Sequence, residues 1–267
     1  MSEIRVGLLG LGTIGVGVAR LLLEHEDLLA RRLGKRLKLT RICDLDISHD
    51  RGLDLSDVEL TANVENITTA ADIDIIIELI GGYEPAKSFV MQAINHGKHV
   101  VTANKALIAK HGEEIFEQAA GKGVVVAFEA SVGGGIPCLK ALREGLAGNR
   151  IESIHGILNG TCNYILTKME DEGLPFEQVL QQAQELGYAE ADPSFDVDGI
   201  DTAHKLSILA AMAFGSRLGF EGMFTEGIRC IKPADIAFAN ELGFRIKLLG
   251  VARPNGDNIE MRVHPTL

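Results

Sequence analysis

The 267-residue sequence contains no tryptophan, and aromatic residues make up only 5% of it. It also has no excess of positive charge, because its formal net charge at pH 7 is −11. Binding to nucleic acids or to anionic membranes relies on basic surface, and base stacking also needs aromatic side chains. The composition therefore argues against nucleic acid and membrane as the main partners.

Cysteine is sparse as well, and the four cysteines are scattered without a CxxC pair. Such cysteines are typical of reduced thiols in a cytosolic protein. No apolar run approaches the roughly 18 residues of a membrane span, and no signal peptide opens the chain. We therefore expect a cytoplasmic protein. Hydrophobic residues make up 46% and charged residues 24%, so the chain should bury a core in one large or two ordinary domains.

A glycine-rich loop, G-L-G-T-I-G, lies at residues 10–15, directly after the apolar run Ile4–Leu9 and before a helical pattern. In a G-x-G-x-x-G between a strand and a helix, the glycines permit a tight turn, approach to a pyrophosphate and close helix packing. The helix start also presents free N–H groups to phosphates. This context predicts dinucleotide binding, with a plain glycine turn as the alternative. The cofactor residues expected here are Gly10, Gly12, Thr13, Ile14 and Gly15.

Asp44 follows the next predicted strand, Lys38–Cys43. An acid at this point can accept hydrogen bonds from the adenosine ribose hydroxyls, which favours NAD over NADP. Its separation from Gly15 is longer than usual because a charged insert intervenes. Arg41 and Arg51 are also near in sequence, and arginines can hold a 2′-phosphate. The sequence leans to NAD and leaves NADP open.

Strand and helix patterns alternate as far as residue 130, which is typical of a Rossmann domain. The predicted strands are Ile4–Leu9, Lys38–Cys43, Ile73–Leu79, His99–Thr102 and Val124–Glu129, and predicted helices run from Pro85 to Asn95 and from Glu113 to Lys122. The later pattern is of α+β type, with helices on a mixed sheet and no second dinucleotide fingerprint. We predict an NAD(P)-binding domain over 1–130 and a substrate and dimerisation domain over 131–267.

T-A-N-K at residues 102–105 places Thr102 and Lys105 at the carboxyl end of a predicted strand. Ligands bind at that edge in open parallel sheets. Both residues are therefore candidate cofactor contacts, and Lys105 is a candidate catalytic residue. A solvated lysine at a helix start is the alternative.

Five carboxylates and one lysine lie in E-A-D-P-S-F-D-V-D-G-I-D-T-A-H-K-L, residues 190–206. If the segment after Gly199 is helical, Asp201 and Lys205 share a face. From spacing alone, a solvated surface pair is the usual interpretation. Upstream, E-A-S-V-G-G-G-I-P at 129–137 is a hinge or an ion-binding nest, and N-G-T-C-N-Y-I-L from Asn159 predicts a helix with Thr161 as its N-cap.

These motifs occur together, in this order, in one known family. The glycine loop, T-A-N-K, the glycine-rich connector, N-G-T-C-N-Y-I-L and the acidic stretch resemble homoserine dehydrogenase. The resemblance implies interconversion of L-homoserine and L-aspartate 4-semialdehyde with NAD or NADP, on the route to threonine, methionine and isoleucine. It also implies a homodimer or higher homo-oligomer formed through the sheet of the second domain. Family members usually continue past V-H-P-T-L, so we expect this chain to be a fragment that lacks part of the cofactor-site closure and any regulatory domain.

The resemblance also assigns roles to individual residues. Lys205 would be the general acid/base at the C4 oxygen, and Lys105 would lie near nicotinamide and substrate. Glu190 and Asp201 would hold the substrate ammonium, and Asp196 would support the lysine. A monovalent cation such as sodium would be held largely by backbone oxygens of Glu129, Val132, Gly134 and Ile136.

Other functions explain the sequence less well. No G-x-S-x-G is present, and no G-K-[ST] follows the glycine loop, which argues against a serine hydrolase and an NTPase. Cys138 and Cys162 could be nucleophiles, but no basic residue is patterned around either. The Asp196-x-Asp198 pair lacks the glutamate that an EF-hand needs at its twelfth position. A non-catalytic NAD(P)-binding module and another semialdehyde or amino-acid dehydrogenase remain as alternatives.

Overall fold

The computed structural model describes residues 2–267. The chain divides into two compact units, of which the first ends at Ile136 and the second spans Pro137–Leu267. Each unit has its own hydrophobic core. Among the described residues, no helix has the length and apolar character needed to cross a bilayer.

The first unit alternates strands and helices. Its strands are β1 (Glu3–Leu9), β2 (Arg36–Cys43), β3 (Glu59–Thr61), β4 (Ile75–Glu78), β5 (His99–Thr102) and β6 (Val126–Ala127). Its helices are α1 (Thr13–Glu24), α2 (Glu26–Leu33), α3 (Glu65–Thr68), α4 (Ala86–Asn95) and α5 (Lys105–Lys122). All six strands are parallel, in the order β3-β2-β1-β4-β5-β6.

This strand order is that of a doubly wound dinucleotide-binding sheet, whose ligand crevice opens at the carboxyl ends of β1 and β4. The sequence prediction of a Rossmann fold is therefore confirmed. Val6, Leu8 and Leu9 of β1 are buried, because helices cover both faces of the sheet and leave no exposed side for polar residues.

Two helices of this unit differ from the sequence prediction. The charged insert after Glu24 contains α2, whose acidic residues lie in its first turn and whose arginines lie in its last turn. That distribution complements the helix dipole. Helix α5 begins at Lys105 rather than at Glu113, because the Asn104 side chain accepts a hydrogen bond from Leu107 N and caps the helix there.

The second unit packs helices on a four-stranded sheet. Its strands are β7 (Ile154–Gly156), β8 (Phe224–Thr225), β9 (Lys247–Asn255) and β10 (Asn258–Thr266). Its helices are α6 (Cys138–Lys140), α7 (Gly160–Glu172), α8 (Phe176–Glu185), α9 (Ser194–Val197), α10 (Ile200–Phe214) and α11 (Pro233–Glu241). The strand order is β7-β9-β10-β8.

This sheet is mixed, as predicted. β9 and β10 form an antiparallel hairpin, whereas β8 runs parallel to β10. Helix α10 lies directly on the sheet: the space beside Gly250 of β9 is filled by Thr202 and Leu206, and a Cβ there would lie 3.4 Å from either side chain. This close packing buries most of α10, including Asp201.

Candidate active site

The first unit has a cavity of about 500 Å³ at the carboxyl edge of its sheet, where the sequence predicts dinucleotide binding. It is lined by the glycine loop, the end of β2 and the loop after β4. Lining residues include Gly10, Gly12, Asp44, Asn63, Ile80 and Phe89. Its position at the crossover between β1 and β4 is where a doubly wound sheet binds a dinucleotide.

The three glycines of the loop occupy different environments. Gly10 has φ +96° and its N–H donates to Cys43 O at 2.8 Å, which makes the turn. A Cβ on Gly15 would lie 2.1 Å from Gly10 O, so helix and turn touch there. A Cβ on Gly12 would meet nothing within 4 Å, which leaves room for a ligand against the backbone. Helix α1 starts at Thr13 with no side-chain cap, so its first N–H groups face the loop and suit a pyrophosphate.

Asp44 is held firmly at the end of β2. One carboxylate oxygen accepts from Leu11 N at 2.5 Å, and the other accepts from Asp46 N at 3.0 Å. Arg51 donates to Asp46 O at 3.0 Å and lies 3.7 Å from the Asp44 carboxylate. Arg51 is therefore the arginine beside the acid that the sequence assigns to the ribose.

Arg41 lies in a separate group of charges. It pairs with Glu59 and Asp72, each at 2.8 Å. The hydrogen bond to Asp72 and, secondarily, the bond to Glu59 raise the pKa of the Arg41 guanidinium. The bond from Arg41 also lowers the pKa of Asp72. Of the two arginines that the sequence offers for a 2′-phosphate, Arg41 is thus already engaged with two carboxylates.

At the carboxyl ends of β4 and β5, Thr102 is buried and its hydroxyl donates to Glu78 Oε2 at 2.6 Å. Lys105 lies three residues further on, half-buried at the first position of α5. Thr102 is thus not exposed to a ligand in the crevice, and its hydroxyl contacts Glu78 instead. Sequence reasoning missed Glu78, although an acid within the apolar run I-D-I-I-I-E-L was a signal that could have found it.

The connector at 129–136 begins with a short 3₁₀ turn, Glu129–Ser131. Val132 N donates to Glu129 O at 3.3 Å, and Ile136 N donates to Gly133 O at 2.7 Å. Within residues 2–267, no group of three or more His, Cys, Asp or Glu side chains is placed to bind a metal. A cation at this connector would therefore depend on backbone oxygens, including that of Gly134.

In the second unit, the structure brings Asp201 and Lys205 together on α10. Lys205 Nζ donates to Asp201 Oδ2 at 2.7 Å and to Leu158 O at 2.8 Å. The side chain of Asp201 is 3% exposed and that of Lys205 is 18% exposed. The pair is therefore largely desolvated, which excludes the solvated surface pair that spacing alone suggests.

Asn159 connects this pair to Asp196. Its side-chain nitrogen donates to Asp196 Oδ1 at 2.8 Å and to Asp201 Oδ2 at 2.9 Å, while its oxygen accepts from Cys162 N at 2.7 Å. The amide thus uses both donors on carboxylates and caps α7 with its acceptor. Asn159, rather than Thr161, is the N-cap; the prediction of Thr161 was wrong because its hydroxyl donates to Tyr188 O and Asp196 instead.

Cys162 lies beneath the acidic cluster and is fully buried. Its thiol donates to Asp196 O at 3.2 Å. Burial, and secondarily the nearby carboxylates of Asp196 and Asp201, raise the pKa of this thiol to about 12. A thiol in these surroundings is a poor nucleophile, because the thiolate is the reactive form.

The other acids of the stretch occupy different positions. Glu190 is exposed, and its backbone oxygen accepts from Gln184 Nε2 at 3.0 Å. Within the described residues, its carboxylate has no hydrogen bond to the Asn159 cluster. Asp192 accepts from Ser194 N at the turn before α9, and Asp198 pairs with Arg229 at 2.5 Å. Asp192 is therefore a turn residue and Asp198 a surface residue.

Gly227 holds the acidic stretch from a distant part of the sequence. A Cβ on Gly227 would lie 2.1 Å from Val197 O and 2.5 Å from Asp198 Cα. The next residue, Ile228, donates its N–H to Val197 O at 2.8 Å. The backbone between α9 and α10 is thus fixed by a contact that only glycine permits.

Two family profiles match this chain: that of homoserine dehydrogenase over residues 137–267, and that of the homoserine dehydrogenase NAD-binding domain over residues 10–129. The homoserine dehydrogenase of Pseudomonas aeruginosa is 51% identical over the whole chain, which covers 61% of that relative. A crystal structure of a homoserine dehydrogenase from Thiobacillus denitrificans is 54% identical, with a TM-score of 0.96 over 100% of this chain and 62% of that one.

A hyperthermophilic archaeal homoserine dehydrogenase, solved in complex with NADPH, is 26% identical with a TM-score of 0.80, over 99% of this chain and 82% of that one. The chain spans about three fifths of the length of the curated relatives it matches. The profiles, the identities and the shared fold agree with one another and with the geometry of the two units. The chain belongs to the homoserine dehydrogenase family.

Proposed function

We propose that this chain catalyses the reversible NAD(P)-dependent oxidation of L-homoserine to L-aspartate 4-semialdehyde. The observation that carries the proposal is the desolvated Asp201–Lys205 pair, bridged by Asn159 to Asp196, in a chain that also has a dinucleotide cavity. A surface ion pair would not require a third side chain to donate to both carboxylates. The reaction would serve threonine, methionine and isoleucine biosynthesis in the cytoplasm.

Lys205 is assigned to the proton of the reaction. Oxidation of a primary alcohol removes a hydride from C4, and the bound nicotinamide supplies the acceptor for it. The hydroxyl proton must leave at the same time, and a positioned amine can accept it. Within the described residues, Lys205 donates two of its hydrogens, to Asp201 and to Leu158 O. A third position on the nitrogen is thus available for the substrate oxygen.

The substrate ammonium is assigned to carboxylates of the same unit. Asp201 is buried and Glu190 is exposed, so Asp201 is fixed in place, whereas Glu190 is free to approach a ligand from solvent. Asp196 holds Asn159 and acts on the substrate through that amide. Charge-assisted hydrogen bonds from an ammonium to such carboxylates are among the strongest available in a binding site.

The cofactor is assigned to the cavity of the first unit, with Gly10, Gly12 and Gly15 forming the turn. Thr13 and Ile14 would present their N–H groups to the pyrophosphate, and Lys105 would lie towards the nicotinamide. We propose NAD as the preferred cofactor, because the Asp44 carboxylate is held at the ribose position. Arg51 is the residue that would bind the 2′-phosphate if NADP is used, and the archaeal relative was solved in complex with NADPH.

Two further assignments accompany the reaction. A monovalent cation such as sodium would bind the connector through oxygens of Glu129, Val132, Gly134 and Ile136. The active species would be a homodimer or a higher homo-oligomer. Both assignments come from the family resemblance and are tested by sodium dependence of turnover and by light scattering.

The function is tested by following absorbance at 340 nm with homoserine and either cofactor. Turnover is expected with homoserine, and Lys205→Ala is expected to lower kcat by about 10²- to 10⁴-fold, which is the usual contribution of a general acid/base. Lys205→Arg is the matched variant, because it keeps the charge but does not deprotonate.

Near-normal turnover by Lys205→Ala would refute the assignment of the proton step. Cofactor binding without any homoserine-dependent signal would favour a non-catalytic NAD(P)-binding module. A panel of 2-amino acids with a terminal hydroxyl separates homoserine from related substrates. Asp44→Ala should lower kcat/KM for NAD more than for NADP, and an unchanged ratio would exclude Asp44 as the ribose acceptor.

A further inference from the structure

Glu78 is a buried carboxylate to which the proposed reaction gives no task. It is the last residue of β4, it is 0% exposed, and its register partner on β5 is Thr102. An ionisable side chain that is removed from water normally needs compensating partners. The partners of Glu78 therefore indicate what it does.

All the partners of Glu78 are hydrogen-bond donors. Oε1 accepts from Ile80 N at 2.8 Å and from Gly81 N at 3.2 Å, and Oε2 accepts from the Thr102 hydroxyl at 2.6 Å. The Thr102 oxygen in turn accepts from Asn104 N at 2.9 Å. Because a carboxylate can only accept, the Thr102 hydroxyl is the donor to Glu78, and Asn104 N is the donor to Thr102. Within the described residues, no lysine, arginine or histidine forms an ion pair with Glu78.

The two ends of this series of hydrogen bonds lie at two different parts of the proposed cofactor site. On one side, Glu78 holds the loop that follows β4, and Ile80 of that loop lines the cavity. On the other side, Thr102 holds Asn104, which caps α5 immediately before Lys105. A second bond closes the ring, because Asn104 Nδ2 donates to Gly82 O at 2.7 Å.

At its two glycines the loop has no side chains to hold it, whereas Tyr83 further along contacts His111 and Lys110 of α5. Gly81 and Gly82 both have positive φ, of 81° and 69°, and a Cβ on either would meet nothing within 4 Å. Neither residue contributes a side chain to packing. The carboxylate of Glu78 and the amide of Asn104 thus supply the fixed contacts that the glycines cannot supply.

We propose that Glu78 is a positioning residue that holds the wall of the cofactor cavity and the start of the Lys105 helix in one arrangement. The proposal rests on the proposed function in assigning Lys105 to the active site.

Glu78→Gln tests the direction of the bonds with little change of shape. Its oxygen can still accept from the loop, but its nitrogen then faces the Thr102 oxygen, which already accepts from Asn104. The Thr102 hydrogen loses its acceptor. Thr102→Val removes the same bond from the other side, and Thr102→Ser retains the hydroxyl.

Thr68→Val is the matched control for the loss of a buried threonine hydrogen bond. Thr68 lies in the same unit, is fully buried, and donates to Gln92 Oε1 at 2.6 Å. It has no contact with the loop after β4 or with α5 in the described residues. A purely structural effect of losing such a bond should therefore be the same at Thr68 and at Thr102.

The experiment measures the Kd for NADPH by fluorescence titration, kcat and KM with homoserine, and Tm. Glu78→Gln and Thr102→Val are each expected to raise the Kd and lower kcat by about tenfold, as the loss of a hydrogen bond in a network would. The double variant should match the single ones, because both break one bond. Thr102→Ser should recover most of the loss, and Thr68→Val should lower Tm without changing the Kd or kcat.

Several outcomes would overturn the proposal. These are an unchanged Kd and kcat in Glu78→Gln, effects that add in the double variant, or equal effects at Thr68 and Thr102. If the unaltered chain turns over no homoserine, the proposed function fails by itself. The titration with NADPH still tests the proposal, because a Kd of Glu78→Gln equal to that of the unaltered chain would refute the role of Glu78 at the cavity wall.

Discussion

The two units of this chain use different chemical groups for their proposed tasks. The first presents backbone: a glycine turn, the start of α1 and a loop held by Glu78. The second presents side chains, in which Asn159, Asp196, Asp201 and Lys205 satisfy one another away from water. Substitutions at the glycine turn of the first unit should therefore act through steric exclusion, and those in the cluster of the second unit through charge and hydrogen bonding.

After Lys205→Ala, the largest effect is expected in the second unit, from Asn159→Asp. The change replaces an amide that donates to two carboxylates with a third carboxylate, so both donors are lost and like charges meet in a buried place. We expect kcat with homoserine to fall by about 10²-fold, while the Kd for NADPH stays unchanged. A parallel loss of cofactor binding would show that the two units do not divide the work in this way.

The next effect is expected in the first unit, from Gly15→Ala. The new Cβ would lie 2.1 Å from Gly10 O, so the turn must shift, and the Kd for NADPH should rise at least about tenfold. Gly17→Ala is the matched control, since it lies in the same helix and its Cβ would meet nothing within 4 Å. Equal Kd values for the two variants would contradict the role of close packing at Gly15.

A smaller effect concerns alkaline stability and Cys162. Its pKa is raised from 9.0 to about 12 in the folded chain, so the folded state binds this proton more tightly than the unfolded state does. The resulting stabilisation is complete below pH 9 and is lost as the pH rises towards 12. Between pH 8 and 10, the free energy of unfolding of Cys162→Ala should fall by about 1 kcal/mol less than that of the unaltered chain. Urea titrations at the two pH values measure this difference. An equal change of the free energy of unfolding in Cys162→Ala and in the unaltered chain would contradict the prediction.

The smallest effect is expected from Lys168→Ala. Lys168 and Glu172 have the same spacing and the same 2.7 Å separation as Asp201 and Lys205, but their side chains are 38% and 37% exposed. Such a solvated pair contributes little to stability, because solvent screens its charges. Tm and kcat should therefore remain close to those of the unaltered chain. A loss comparable with that of Lys205→Ala would mean that burial does not distinguish the two pairs.

The fold of the first unit could be predicted because its signals are local. The run Ile4–Leu9, the glycine loop and T-A-N-K each lie within a few residues, and the strand order follows from the doubly wound pattern. Helix α2 was missed because half of its residues are charged and the segment was interpreted as a charged insert. The helix α5 was predicted from Glu113, although a helix start at Lys105 was the alternative interpretation of T-A-N-K, and the Asn104 cap shows that the helix begins there.

The site of the second unit was harder to predict in physical detail. The spacing of Asp201 and Lys205 gave their shared face but not their burial, which depends on packing against β9. Asn159 was not singled out, because it bonds to Asp201 over a separation of 42 residues. Glu78 was missed for the same reason, since Thr102 is 24 residues away. Contacts of this kind are set by the tertiary fold, and no periodic pattern in the sequence indicates them.

The contact of Gly227 with Val197 also bears on how the second unit folds. Helices α7, α8 and α10 can each form from local interactions, whereas the lysine site exists only after segments near residues 159, 197 and 227 have met. Such long-range closures come at the greatest entropic cost and are slow compared with helix formation. An intermediate with all its helices in place would therefore still lack the contacts that join Asn159 and Asp196 to the proposed lysine site.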